Sequence, residues 1–148
     1  MRSLWQSEWR ADLATRMRRI DPETKPRWGR MNAAQMAAHV NDAIRMASGD
    51  LTVRSMGTPL RYPPLKQLVI YVAPIPKGVP TAPELIARLD RAQWAEEGAA
   101  FPGLLERFAS RDPSGPMPDH PAFGTMSARA WGVLAWRHAD HHLRQFGV

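Results

Sequence analysis

Three of the five histidines in this 148-residue chain lie close together near its C-terminus, within residues 136–143. An α-helix turns about 100° per residue, so His138 and His142 project from one apolar face, one turn apart. Two imidazoles at this spacing can bind a single metal ion. His141 points about 80° away from the centre of that face. His138 and His142 are therefore the core-facing pair that could carry chemistry.

A third imidazole ligand would have to come from another helix. His39 is the only other histidine on a predicted apolar helix face, three residues after Met36. If its helix faces the last one, the three imidazoles His39, His138 and His142 converge. With water in the remaining positions they form an open, reactive site, and Zn, Ni, Fe, Co and Mn all accept imidazole ligands. The alternative is three hydrogen-bonded core histidines, which would need several polar partners.

Helices with the correct register must position these side chains. Apolar residues recur at helical spacing over residues 3–20, which predicts the first helix. Asn32 as N-cap and Gln35 three residues later predict a capping box at the start of a second helix over 33–47. The last helix is expected from Ser127 to about Gln145.

The connections between these helices are less regular. Residues 50–83 hold half of the 14 prolines and predict a Pro-rich irregular insertion between helices two and three, in which 65–72 fits a short helix or an edge strand. A third helical region is expected from Thr81 as N-cap, with a kink or break near 99–101 caused by Pro102. The fold expected is all-α, a four-helix up-and-down bundle in a single domain of 148 residues.

Composition excludes several classes of function. The absence of cysteine excludes a disulfide framework, a Cys-ligated zinc finger, an iron–sulfur cluster and a thiol nucleophile. Residues 1–10 lack the apolar region of a secretory signal, so none is expected. No apolar run reaches the ~18 residues of a membrane span, so a soluble cytoplasmic protein is expected. The net charge of +6 is spread over the wet faces of helices, so neither nucleic acid nor membrane is an expected partner.

Aromatic and sulfur-containing side chains are candidates for the wall of a pocket, although such residues at helical spacing more often form plain core. The candidates are Trp28, Met36, Tyr62, Tyr71 and Trp131. His141 is expected either on the surface or as an outer partner of the metal ligands, and His120, which precedes a proline in a loop, is expected to be either structural or part of the pocket rim.

Several motifs together resemble an uncharacterised branch of the DinB/YfiT-like superfamily, and the resemblance spans essentially the whole chain. The motifs lie at residues 28–31, 35–39, 120–124, 131–132 and 138–147. The resemblance implies a four-helix bundle that binds a divalent metal, typically nickel or zinc, through one histidine of helix two and two of the last helix. Carried over to this sequence, these are His39, His138 and His142.

The resemblance also suggests an activity. Relatives resemble metal-dependent hydrolases, or are thiol transferases or isomerases that use mycothiol, bacillithiol or glutathione, and homodimers are common among them. This implies a small-molecule substrate, a low-molecular-weight thiol as cosubstrate, and a homodimer.

The residues around the histidines bear on which reaction is favoured. No carboxylate is expected as a general base, because Asp140 falls on the wet face of the last helix and Asp42 lies about 60° from His39, at best on the rim. This favours thiol transfer, in which a thiolate is itself the nucleophile, over hydrolysis. The alternative is a non-catalytic bundle that binds a small apolar ligand, with the histidines only hydrogen-bonded.

Overall fold

The computed structural model describes residues 1–75 and 83–148. Within these ranges the chain is all-helical, with one turn of 3-10 helix at Pro59–Arg61 and no strand. The α-helices are α1 (Ser7–Arg18), α2 (Ala33–Ser48), α3 (Leu65–Tyr71), α4 (Pro83–Leu89), α5 (Trp94–Ala109) and α6 (Ala128–Gln145). None of the helices in the described ranges is long and apolar enough to cross a membrane.

The boundaries of α2 follow from its sequence, as predicted. The Asn32 side chain accepts the backbone N–H of Gln35 at 2.8 Å, and the Gln35 side chain accepts the backbone N–H of Asn32 at 3.0 Å. This reciprocal capping box satisfies two donors that the first turn would otherwise leave unpaired. At the other end Gly49 has φ +79°, a left-handed conformation that ends the helix at little steric cost to glycine.

The four long helices, α1, α2, α5 and α6, form a ring in which each contacts two of the others. Helix α1 packs against α5 and α6, and α2 packs against the other side of the same two helices. The core between them consists of large apolar side chains that are almost fully buried, among them Leu13, Met17, Met36, Phe101, Phe108, Trp131 and Leu143. Every long helix therefore contributes to one core, and α2 lies directly beside α6.

Of the kink or break predicted near 99–101, the break is wrong, because α5 runs without interruption from Trp94 to Ala109. Pro102 removes one intrahelical hydrogen bond, which costs about 3 kcal/mol in a helix interior. Phe101, Leu105 and Phe108 are almost fully buried on α5, and each contributes roughly 1.5–3 kcal/mol by leaving water. Their burial offsets the cost of the proline. The predicted third helical region is instead interrupted earlier, between the end of α4 and the start of α5.

The described part of the predicted Pro-rich insertion holds ordered helix. Residues 65–72, which fitted either a helix or a strand, contain α3. This short helix contacts α6, where the Arg137 guanidinium donates to the carbonyls of Val69 at 2.9 Å and Ile70 at 2.5 Å. Arg137 thus binds carbonyls that a C-terminal helix turn leaves unpaired. The predicted N-cap Thr81 lies outside the described residues.

Candidate metal centre

The structure brings His39 of α2 together with His138 and His142 of α6. One ring nitrogen of each lies within 4.8 Å of the other two, and the Nε2 atoms of His39 and His138 are 3.0 Å apart. Two nitrogens bound to one metal ion at 2.0–2.1 Å would be separated by about 2.9–3.4 Å, for octahedral to tetrahedral angles. The spacing of His39 and His138 thus fits a shared divalent ion.

The register of α6 explains why two of these histidines share a face. Ser127 caps the helix as predicted, its hydroxyl accepting the backbone N–H of Ala130 at 3.2 Å. From that start, His138 and His142 fall one turn apart on the side that faces α2. His142 is buried, whereas His39 and His138 keep an intermediate exposure. The cluster therefore lies at the edge of the core.

The orientation of His142 is fixed by a residue that sequence reasoning missed. The Gln145 side-chain amide donates to the Trp28 carbonyl at 2.6 Å, which leaves its Oε1 to face the Nδ1 of His142 at 2.8 Å. Because Oε1 can only accept, the His142 Nδ1 carries the proton and Nε2 keeps its lone pair. Outer partners of this kind hold metal-binding histidines in one tautomer. The signal in the sequence was an amide three residues after a histidine, one helical turn away.

The other two imidazoles lack such a partner. The Nδ1 atoms of His39 and His138 are buried and have no hydrogen-bond partner within the described part of the chain. Native proteins rarely leave buried polar atoms unpaired, and where they do a function or an ion often explains it. The unpaired nitrogens therefore indicate that hydrogen bonding between the rings does not satisfy this cluster.

All three imidazoles are in the form that binds metal at neutral pH. Burial lowers the pKa of His39 to about 4, an effect that the charge of Asp42 partly opposes. Burial also lowers the pKa of His142 to about 3, against a smaller upward effect of the Gln145 hydrogen bond. Burial holds the pKa of His138 well below its ordinary value, and its two histidine neighbours lower it further. Neutral imidazoles are ready donors, since no proton has to leave first.

The predicted rim position of Asp42 is wrong. Its side chain is fully buried, and its oxygens accept hydrogen bonds from Arg45 at 2.8 Å and from Arg88 at 2.8 and 2.9 Å. The helical wheel placed Asp42 beside the α6 contact only, but α2 is also covered by α4 and α5. The Asp42 carboxylate is thus occupied by two guanidinium groups. Its negative charge nevertheless acts on His39.

The predicted wet face for Asp140 is wrong as well. Asp140 is 8% exposed and forms ion pairs with Arg16 of α1 at 2.8 Å and with Arg144 at 3.0 Å. Helix α6 is covered by α1 and α3 in addition to α2, so little of it faces water. Both carboxylates considered for the role of a general base, Asp42 and Asp140, are thus paired with arginines.

The remaining candidates occupy different environments. Met36 and Trp131 are core residues, and the Trp131 indole donates to the Pro118 carbonyl at 2.8 Å. Trp28 lies beside the cluster, with its ring 5.6 Å from that of His141. His141 itself contacts the ring of His142 at 5.1 Å.

The two tyrosines lie farther out. Tyr71 is partly buried against the core, whereas Tyr62 is 66% exposed at the end of the 3-10 helix. Ring contacts therefore connect two of the candidates, Trp28 and His141, to the histidine cluster.

His120 is held in the loop before α6, apart from the three histidines. Its Nδ1 accepts the backbone N–H groups of Ala122 at 3.1 Å and Phe123 at 3.3 Å, and its ring contacts that of Trp131. Burial lowers its pKa to about 4. His120 thus stabilises a turn and is not brought to the cluster.

Comparison with known proteins gives a family without an assigned activity. Residues 74–147 match the model of a family described as a protein of unknown function, DUF1569. This match spans half of the chain and includes His138 and His142 but not His39. No curated protein and no solved structure matches the chain. The chain belongs to the DUF1569 family.

Proposed function

We propose that this protein is a metal-dependent enzyme that acts on a small molecule, with a divalent ion held by His39, His138 and His142. The observation that carries the proposal is the convergence of three neutral imidazoles, with ring nitrogens within 4.8 Å of one another. Zn and Ni are the first candidates for the ion, and Fe, Co and Mn are alternatives that imidazole also suits.

The arrangement of the helices supports a relationship to the DinB/YfiT-like bundles. The four long helices α1, α5, α2 and α6 contact one another in that cyclic order. The histidines lie on two neighbouring helices of the ring, one on α2 and two on α6. We therefore interpret the fold as a four-helix bundle of this type, in which the short helices α3 and α4 are inserted in the chain between α2 and α5.

Among the activities open to such a site, thiol transfer is favoured over hydrolysis. A bound divalent ion supplies a Lewis acid that lowers the pKa of a water or a thiol. Hydrolysis also benefits from a general base, and the two carboxylates considered for that role, Asp42 and Asp140, are both bound by arginines. A thiolate cosubstrate is itself a nucleophile and needs less help from the protein. The residues thus favour a low-molecular-weight thiol as cosubstrate.

A non-catalytic role is the second candidate. The 3.0 Å contact between the Nε2 atoms of His39 and His138 is also a good hydrogen-bond distance if one of them carries a proton. In that case the bundle would bind a small apolar ligand, and the histidines would only be part of the wall. Replacing His138 would then change ligand affinity modestly and remove no metal-dependent property.

Cobalt substitution of the untagged protein separates these functions. We expect added Co²⁺ to give visible d–d absorption at one ion per chain, and glutathione to add a thiolate-to-cobalt charge-transfer band. His138→Ala should abolish both signals, and His120→Gln, which changes a histidine outside the cluster, should keep them. Absence of d–d absorption would contradict the metal site. Bands that do not respond to glutathione would contradict thiol transfer and return hydrolysis to first place.

A further inference from the structure

A second concave surface is lined by none of the three histidines of the cluster. It is a cleft of about 340 Å³ between the C-terminal end of α2, the segment that follows it and the loop before α6. Its walls include the apolar side chains of Met46, Leu51 and Val53 and the polar groups of Arg61 and His120. Ligand sites of this kind measure about 300–1,000 Å³ and combine apolar walls with a few placed polar groups, so the cleft suits a small molecule.

His120, which lines this cleft, carries a fixed hydrogen-bond donor. Its Nδ1 accepts two backbone N–H groups, so the proton of the neutral ring is on Nε2. That N–H has no hydrogen-bond partner among the residues that the structure describes. The two backbone bonds hold the ring in place, so the donor needs no ordering when a ligand arrives.

Arg61 lies against the same turn. The backbones of His120 and Gly124 exchange two hydrogen bonds, at 2.9 and 2.8 Å, which closes the turn that carries the imidazole. The Arg61 guanidinium packs on Gly124, where a Cβ would come within 3.0 Å of Nη2. Arg61 is half-buried and forms no ion pair or side-chain hydrogen bond in the described parts of the chain. A guanidinium without an anion, beside a fixed N–H, is a ready partner for a carboxylate.

The structure assigns this cleft to the carboxylate of a small organic acid, with the head group bound by Arg61 and His120 and a short apolar body against Met46, Leu51 and Val53. The apolar walls favour an organic acid over an inorganic anion, which would leave them uncovered. Asp119 also lines the cleft but is exposed, so water screens its charge more than that of the half-buried arginine. None of these residues belongs to the histidine cluster, and binding at the cleft does not depend on metal.

Side-chain NMR signals can test this assignment with simple probes. In ¹⁵N-labelled full-length protein we expect benzoate to shift the Arg61 Nε–H signal and the Trp131 indole signal saturably, since that indole bonds to Pro118 in the cleft wall. Benzamide, which lacks the charge, and inorganic phosphate, which lacks the apolar body, should bind at least about tenfold more weakly.

Variants separate the cleft from general anion binding. Arg61→Gln should weaken benzoate binding about tenfold or more, because a hydrogen bond to a charged group contributes about 1.5–3 kcal/mol. Arg61→Lys should give an intermediate affinity, since it keeps the charge and loses the planar fork. Arg19→Gln, at an exposed arginine outside the cleft, should leave affinity unchanged.

Four results would overturn the proposal: no shift with benzoate, equal binding of benzamide, equal binding of phosphate, or equal losses in the Arg61 and Arg19 variants.

Discussion

Two regions of this molecule contain histidines whose pKa burial lowers, and the two use them differently. In the loop before α6, the Nδ1 of His120 is paired with two backbone N–H groups. In the cluster between α2 and α6, the Nδ1 atoms of His39 and His138 have no partner in the ranges 1–75 and 83–148, and their Nε2 atoms lie 3.0 Å apart. Lone-pair convergence, rather than burial or a shifted pKa, therefore distinguishes a candidate ligand set from a structural histidine.

The largest contrast should appear in metal affinity. His39→Ala removes one of three converging donors and should weaken Zn²⁺ or Ni²⁺ binding by more than the ~10–100-fold that loss of an outer partner costs. His120→Ala should leave the affinity unchanged. Competition with a chromophoric chelator measures both constants. If wild type and His39→Ala bind the metal ion with equal affinity, His39 is not a ligand, and the proposed difference between the cluster and the His120 loop is contradicted.

The next contrast concerns acid stability. The pKa of His120 is about 4 in the folded chain and near 6.5 when unfolded, so only the unfolded state takes up this proton between those values. Folding stability is thus lost as pH falls from 6.5 towards 4, by up to about 3 kcal/mol for this residue. His120→Gln should lose correspondingly less stability over that range. Urea denaturation at pH 7 and pH 4, with chelator present, compares the two proteins. If wild type and His120→Gln lose the same free energy of unfolding between pH 7 and pH 4, His120 is not buried in its neutral form.

Gln145 offers a test of how the cluster is held. Gln145→Leu removes the acceptor for His142 and should weaken metal binding about 10–100-fold. Gln145→Glu keeps an acceptor for His142 but sets a second oxygen against the Trp28 carbonyl, so it should bind metal less tightly than wild type and more tightly than Gln145→Leu. Isothermal titration with Zn²⁺ measures the difference. If both variants bind alike, the His142 contact has no role in the site.

The smallest contrast is in the stability of the metal-free protein. His120→Leu leaves two backbone N–H groups unpaired and should destabilise the fold by about 2 kcal/mol or more. His138→Leu removes an unsatisfied buried nitrogen and fills the space with apolar atoms, so it should change stability by less than about 1 kcal/mol. Urea unfolding of chelator-treated proteins gives both values. A larger loss for His138→Leu would show that hydrogen bonding already satisfies the cluster.

Local signals in the sequence predicted much of what positions the site. The capping box at Asn32 and the Ser127 cap determine where α2 and α6 begin, and the i, i+4 spacing then places His138 and His142 on one face. These features depend on neighbours within one or two turns, which the sequence contains directly. The convergence with His39 required only that the two helices be adjacent.

Other features depend on long-range packing and could not be predicted. A helical wheel assumes one buried face, whereas α2 and α6 each contact three other helices, so Asp42 and Asp140 are buried and bound by arginines. Helix α5 passes through Pro102 because its apolar face is anchored in the core. The role of Gln145 depends on the carbonyl of Trp28, which is 117 positions away in the chain.

The metal content of protein purified without an affinity tag tests the central claim most directly. The account predicts about one Zn or Ni per chain by elemental analysis. It also predicts that adding metal to the chelator-treated protein raises the melting temperature, since an ion at 100 times its Kd stabilises the fold by about 2.7 kcal/mol. Metal in less than about a tenth of the chains, together with an unchanged melting temperature on addition of Zn²⁺ or Ni²⁺, would contradict it.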